Sequence, residues 1–248
     1  MTLIYILILY AIALSAWLAG NGLHNLPAFQ GRSIKKRISR VVIVGATGGT
    51  GRQLVAQALE RGLEVTALVR DPTALQIEHP RLRVIRGDVL DYASVEAAVQ
   101  GHDAVLSALG HHQYFYPTRI LSEGTRNLLR AMETHGVTRF VCETSLGIGS
   151  SAGRLGIYYT FFVIPFILPF YFWDKTRQEG IIAASKVEWV IVRPGVLTNA
   201  AKKVSYRHGH HVGNFLWTVR IPRADVAEFM LNQLEDDAYV GTPVGVCG

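Results

Sequence analysis

Charge is scarce in this chain. Acidic and basic residues together make up 18% of it, against 49% hydrophobic residues, and the mean hydropathy of +0.22 is greasy for a soluble domain. Much of that excess sits in two segments without any charge, residues 2–20 and 155–173. Cysteine is rarer still. Cys142 and Cys247 lie far apart and have no metal-ligand spacing, which points to free thiols in a reducing compartment rather than a metal site. Internal repeats and low-complexity tracts are absent, and 248 residues suffice for one large core in one or two domains. The formal charge of +6 would suit nucleic acid. However, the densest basic run, Arg32 to Arg37 with Arg40, directly follows the apolar N-terminus, a placement that fits a membrane surface and no nucleic-acid partner.

The first apolar segment has the length of a membrane span, since about twenty apolar residues cross a bilayer as a helix. A cleaved signal peptide would need a basic stretch before it and a small-residue cleavage site after it, and both are missing. The expectation is therefore a single-pass anchor over residues 1–20 and a basic linker over 21–38. By the positive-inside rule, residues 39–248 then lie on the cytoplasmic side. A helix buried in a partner protein is the alternative.

Val41 to Arg52 is the most informative stretch. Four apolar β-formers run into Gly45, Gly48 and Gly51, and an amphipathic run follows from Gln53 to Arg61. Strand, glycine turn and helix N-terminus make a pyrophosphate cradle: Gly45 allows the turn, Gly48 lets the backbone approach phosphate, and Gly51 lets the helix pack on the sheet. Thr47, Gly49 and Thr50 complete it. Downstream, candidate strands at 41–45, 64–69, 82–86, 104–108, 138–144 and 187–192 alternate with candidate helices at 51–61, 92–99, 119–135, 175–185 and 223–235. That alternation predicts an α/β fold built on a doubly wound parallel sheet.

The motifs GATGGTGR, VTALVRD, GDVLD, DAVLSALG, EGTRNLLRAM, VCETSLGIG, DKTRQEGIIAAS and WVIVRPGVLT occur in this order across residues 39–240. In this the chain resembles the atypical short-chain dehydrogenase/reductases, and more narrowly the NmrA-like, biliverdin reductase B or flavin reductase-like branch. The resemblance implies an NAD(P)-binding Rossmann domain with a small C-terminal substrate lobe, in a family with both catalytic and nucleotide-sensing members. It also implies that Asp88, with Val89 beside it, approaches the adenine. Leu109 and Gly110 pass under the cofactor, and Pro194 and Val196 of the RPG loop touch the nicotinamide side. Arg70 follows the second strand directly, where NAD-specific proteins place an acid. With Arg52 it favours NADP(H) over NAD(H), because a guanidinium can fork onto a 2′-phosphate.

The superfamily's proton donor is a tyrosine with a lysine four residues later, helped by a serine. Here the counterparts are Tyr171, Lys175 and Ser145, with Thr144 beside the serine and Lys175 also placed to hold the cofactor ribose. Pro169 precedes Tyr171, however, and Asp174 is a natural N-cap. A helix is therefore expected only after Asp174, with Tyr171 ahead of it in an apolar strip. The 155–173 segment suits a substrate lobe, a patch dipping into a bilayer, or an interface with a membrane partner. A true crossing would put the strand at 187–192 on the wrong side of the sheet. The histidines at 208, 210 and 211 read as a turn and give no metal site; His111 and His112 are candidates for a phosphate or substrate contact. Two functions are consistent with this pattern. One is a membrane-anchored NADPH-dependent oxidoreductase acting on an apolar carbonyl, quinone or flavin-like acceptor. The other is an accessory or assembly subunit of a membrane complex that binds nucleotide structurally or as a redox sensor.

Overall fold

The computed structural model describes residues 2–20, 37–203 and 205–248. Helix α1 covers Thr2–Gly20. The alternating domain follows: β1 Arg40–Val44, α2 Gly49–Glu60, β2 Glu64–Val69, β3 Leu82–Arg86, α3 Tyr92–Val99, β4 Ala104–Ser107, α4 Ile120–His135 and β5 Arg139–Glu143. A lobe is built from a π-helical turn at Tyr159–Val163, a short α5 at Ile164–Phe166 and the start of α6, Pro169–Ala183. Strand β6 is Glu188–Pro194, and the chain closes with β7 Val196–Thr198, β8 Arg207–Gly209, β9 Arg220–Pro222, α7 Arg223–Asn232 and β10 Thr242–Cys247.

The main sheet runs β3-β2-β1-β4-β5-β6-β10-β8, parallel except for the last pair. Val41 to Val44 of β1 are fully buried, as a central strand covered on both faces must be. Val41 and Ile43 pack under Leu54 of α2 and Met230 of α7. Val42 and Val44 face the opposite core with Leu128 of α4 and Trp189. Strand order reverses between β2-β1 and β4, so a crevice opens beyond the carboxyl ends of β1 and β4. Strand β10 was not among the expected strands. Pro243 and Gly245 weaken its β signal, but β8 pairs only with Gly245 to Cys247, so Pro243 meets a partner on the β6 side alone.

The membrane-span expectation is corrected. Among the described residues no helix is long and apolar enough to cross a membrane. Instead α1 lies along the lobe, against the π-helical turn and α5. Small residues make this possible: Ala11 is buried, and the Ser15 hydroxyl donates to the Thr160 carbonyl at 3.2 Å. The rings of Tyr10 and Phe166 meet at 5.8 Å. Residues 21–36 of the expected linker lie outside the described residues. The second apolar segment also stays on one side, because β5 and β6 flank it and pair in parallel from Arg139–Glu188 to Glu143–Val192.

Pro169 starts a helix instead of interrupting one, at the first position of α6, where a missing N–H costs nothing. Pro165 sits in the run that continues from the π-helical turn, with Val163 before it already helical. Helix α6 therefore begins at Pro169, before Tyr171, and the expectation that Tyr171 precedes the helix is wrong. Asp174 is not the N-cap of its own helix. It caps a neighbour, accepting from the backbone N–H of Leu121 at 2.9 Å and of Ser122 at 3.2 Å in the first turn of α4.

Candidate nucleotide site

A cavity of about 630 Å³ occupies the crevice at the strand-order reversal. Its floor is the turn from β1 into α2. Gly45 has φ +75°, and a Cβ there would fall 2.3 Å from the Ala108 carbonyl oxygen of the neighbouring strand end. A Cβ on Gly51 would fall 2.0 Å from the Gly45 carbonyl oxygen. Only glycine fits either place. Gly48 is the N-cap of α2 and carries no side chain to cap it, so the first-turn N–H groups are left for a ligand. Amides and the positive end of the helix dipole together make a phosphate seat.

The walls bring together most of the residues that the sequence singles out. Thr47, Gly48, Gly49 and Thr50 line the cavity with Arg70, Asp88, Val89, Leu109, Gly110, Thr144, Tyr171 and Lys175. Asp71, next to Arg70, is turned away: its carboxylate accepts from the Thr73 hydroxyl at 2.6 Å and from the Thr73 backbone at 3.0 Å. Those bonds hold its pKa below the ordinary carboxyl value. Arg70 is therefore the charged side chain that the end of β2 offers to the cavity. Asp88 accepts from the Leu90 N–H at 2.9 Å, while Asp91 is the N-cap of α3.

Tyr171 and Lys175, four residues apart within α6, share one helical face. The Lys175 ammonium lies 5.1 Å from the Tyr171 ring centre and donates to the Glu143 carbonyl at 3.5 Å. Burial pushes its pKa down, but Tyr171, Glu143 and Cys142 around it hold the value above 10.5. The His111 ring packs edge-on against Tyr171 at 4.8 Å, and Tyr114 does so at 5.9 Å. Burial lowers the His111 pKa, which favours the neutral imidazole.

Other expected site residues lie elsewhere. The Ser145 hydroxyl does not line the cavity; it is held in the turn after β5, donating to the Leu146 carbonyl at 2.9 Å. Thr144 lines the wall in its place, and its hydroxyl donates to Glu179 at 2.7 Å. Arg52 is tied outside, donating to the carbonyls of Thr47 at 3.0 Å and Ala74 at 2.8 Å. Gly51 packs behind the seat, and Leu197 lines the cavity where Pro194 and Val196 were expected. Arg193 is a structural anchor, forking onto the buried Glu179 carboxylate at 3.0 and 2.5 Å.

Two charged lining residues were missed. Glu143 is buried at the end of β5 and accepts from the Thr50 hydroxyl at 3.1 Å. Burial pushes its carboxyl pKa up against the opposing pull of Lys175, Thr50 and Arg223. Burial is the stronger effect on Glu143, so the charge it offers Lys175 is the weaker part of that pair. Strand alternation could have flagged it, since Cys142 and Glu143 face opposite sides of β5 and only Cys142 suits a core. Arg223 begins α7 and lays its aliphatic stem over Gly49, with its guanidinium on Asn199 at 2.7 Å. Its distance from the cradle in sequence hides it.

The sequence profile of the family described as NAD(P)H-binding matches residues 45–237. The chain belongs to this NAD(P)H-binding family. Its strand order, glycine cradle and cavity are those that a dinucleotide-binding chain requires. An uncharacterized chloroplastic protein of Arabidopsis thaliana is 34% identical over 66% of this chain and 61% of its own length. A photosystem II assembly factor of Synechocystis is 32% identical over 41% of this chain and 32% of its own length. The chain thus spans less than two thirds of either relative. Among solved structures, a short-chain dehydrogenase/reductase from Veillonella parvula in complex with NADP superposes with a TM-score of 0.70 at 18% identity. It covers 86% of this chain and 95% of its own.

Proposed function

We propose that this protein is an NADPH-dependent oxidoreductase that reduces an apolar carbonyl, quinone or flavin-like acceptor. The observation that carries the reading is the placement of Tyr171 and Lys175 on one face of α6, both on the cavity wall. The glycine seat fits a dinucleotide diphosphate, since two of its positions admit no Cβ. When bound, the dinucleotide supplies the hydride. This chain's residues do the rest. Backbone amides at the start of α2 hold the diphosphate, and the Arg70 guanidinium meets a 2′-phosphate. Lys175 donates to the ribose, and the Tyr171 hydroxyl on the same helical face gives its proton to the acceptor oxygen. Tyr114 and His111 wall the acceptor side with rings, which suits a planar acceptor.

Turnover distinguishes this from the second reading, an accessory or assembly subunit that only binds nucleotide. That reading is favoured by the extent of exposed apolar surface on the lobe and by the assembly-factor relative. NADPH oxidation should be followed with quinone and flavin acceptors for the wild type and Lys175→Ala. We expect a loss of about a hundredfold or more in the variant. Tight NADPH binding without turnover on any acceptor would favour the accessory role. Arg70→Ala should weaken NADPH by about tenfold or more and leave NADH nearly unchanged; equal losses would remove the preference for NADP.

A further inference from the structure

The 19 acidic residues of this chain are segregated. None falls in residues 1–59, 144–173 or 189–224, although Arg154, Lys202, Lys203, Arg207, Arg220 and Arg223 lie in the last two stretches. Parts of these three acid-free stretches converge in space. Helix α1 packs on the π-helical turn and α5. The loop after β8 joins them from the other side: the Asn214 N–H donates to the Arg154 carbonyl at 2.9 Å, and Phe215 meets Phe161 edge-on at 6.5 Å. The result is one apolar face on which Tyr158, Phe162, Phe166, Phe215, Leu216 and Trp217 are all exposed, alongside the outer side of α1. Trp217 is 73% exposed and Phe162 62%, well beyond the scattered apolar residues of an ordinary surface.

We propose that this face docks on the surface of an anionic bilayer, with α1 lying in the interface. Three observations select that occupant. The face offers aromatic rings, which favour the boundary of hydrocarbon and headgroup. Its cations stand at the edge: Arg154 pairs with the His210 carbonyl and the His211 ring, a cluster without a carboxylate, beside Phe215. The basic run from Arg32 to Arg37 follows α1 in the sequence with no acid to offset it. An interfacial helix with cations at its margin binds anionic lipid through both terms, apolar burial and headgroup attraction. A protein partner would be expected to meet this face with some complementary acid; a lipid headgroup supplies it directly. The proposal stands apart from the oxidoreductase reading, because the face and the cavity share no exposed ring.

Flotation of the full-length chain with vesicles tests it. On vesicles of equal parts phosphatidylglycerol and phosphatidylcholine, binding should exceed that on phosphatidylcholine alone by about tenfold. The double variant Phe162→Asp with Trp217→Asp should lose about tenfold or more of it while still binding NADPH. A second measurement needs no disruptive change. Brominated lipid should quench wild-type tryptophan emission, and Trp217→Phe should remove part of that quenching, since Trp189 is buried. Absence of flotation on the anionic vesicles would overturn the proposal, as would unaltered flotation of a double variant that binds NADPH. So would a dimer that buries Trp217 and ignores vesicles, or an N-terminal tag protected from protease inside sealed vesicles. NADPH binding on the same samples keeps the test separate from that of the enzymatic reading.

Discussion

Gly51 marks the tightest point of the cradle. With a hypothetical Cβ 2.0 Å from the Gly45 carbonyl, Gly51→Ala must push α2 off the sheet. The expected cost is about 1–3 kcal/mol or more of stability, read from urea unfolding, with NADPH affinity falling alongside. Glu143 offers a subtler test. Burial raises its folded-state carboxyl pKa above 4.5, so the folded chain holds a proton that the unfolded chain releases. The stability from that proton is full below the unfolded value and drains away as pH rises through the folded one. Relative to Glu143→Gln, which keeps an oxygen for the Thr50 hydroxyl, the wild type should therefore lose stability as pH rises from 4.5. A difference that stays flat or grows with pH would show that the carboxylate is held charged. Cys142 carries no such role: burial pushes its thiol up to about 12, so it is an inert core residue.

At the scale of elements, α6 is the part on which chemistry depends, and its start was illegible. Pro169 and an N-cap-like Asp174 suggested a late beginning, but Pro169 stands at the first position of α6 and Asp174 reaches sideways to cap α4. Capping by a residue 53 positions away leaves no local sequence signal. Asp174→Ala would strand two buried N–H groups and should cost about 2–3 kcal/mol. A urea midpoint within error of the wild type would contradict the cap. Strands β1 to β6 were legible because each is an apolar run bounded by turn residues, with helices between them. Strand β10 was not, since its place beside β6 depends on packing rather than on its own composition.

At the scale of the whole molecule, the glycine seat was legible because a close approach of backbone to phosphate leaves glycines at fixed spacing. The fate of the two apolar segments was not. Each alone has the composition of a membrane element, and only their packing against one another shows α1 docked along the lobe. The cavity draws its walls from β2, β5, β7, α2, α4, α6 and α7 and from the turns after β1 and β4, spread from Gly45 to Arg223.

The central claim is that amides at the start of α2 seat the diphosphate of a nicotinamide dinucleotide. Calorimetric titration of the intact chain with NADPH tests it most directly. A single saturable site, filled by one dinucleotide per chain and lost in Gly51→Ala, is the expected result. No saturable heat from a folded wild-type chain, with NADPH or with NADH, would contradict it.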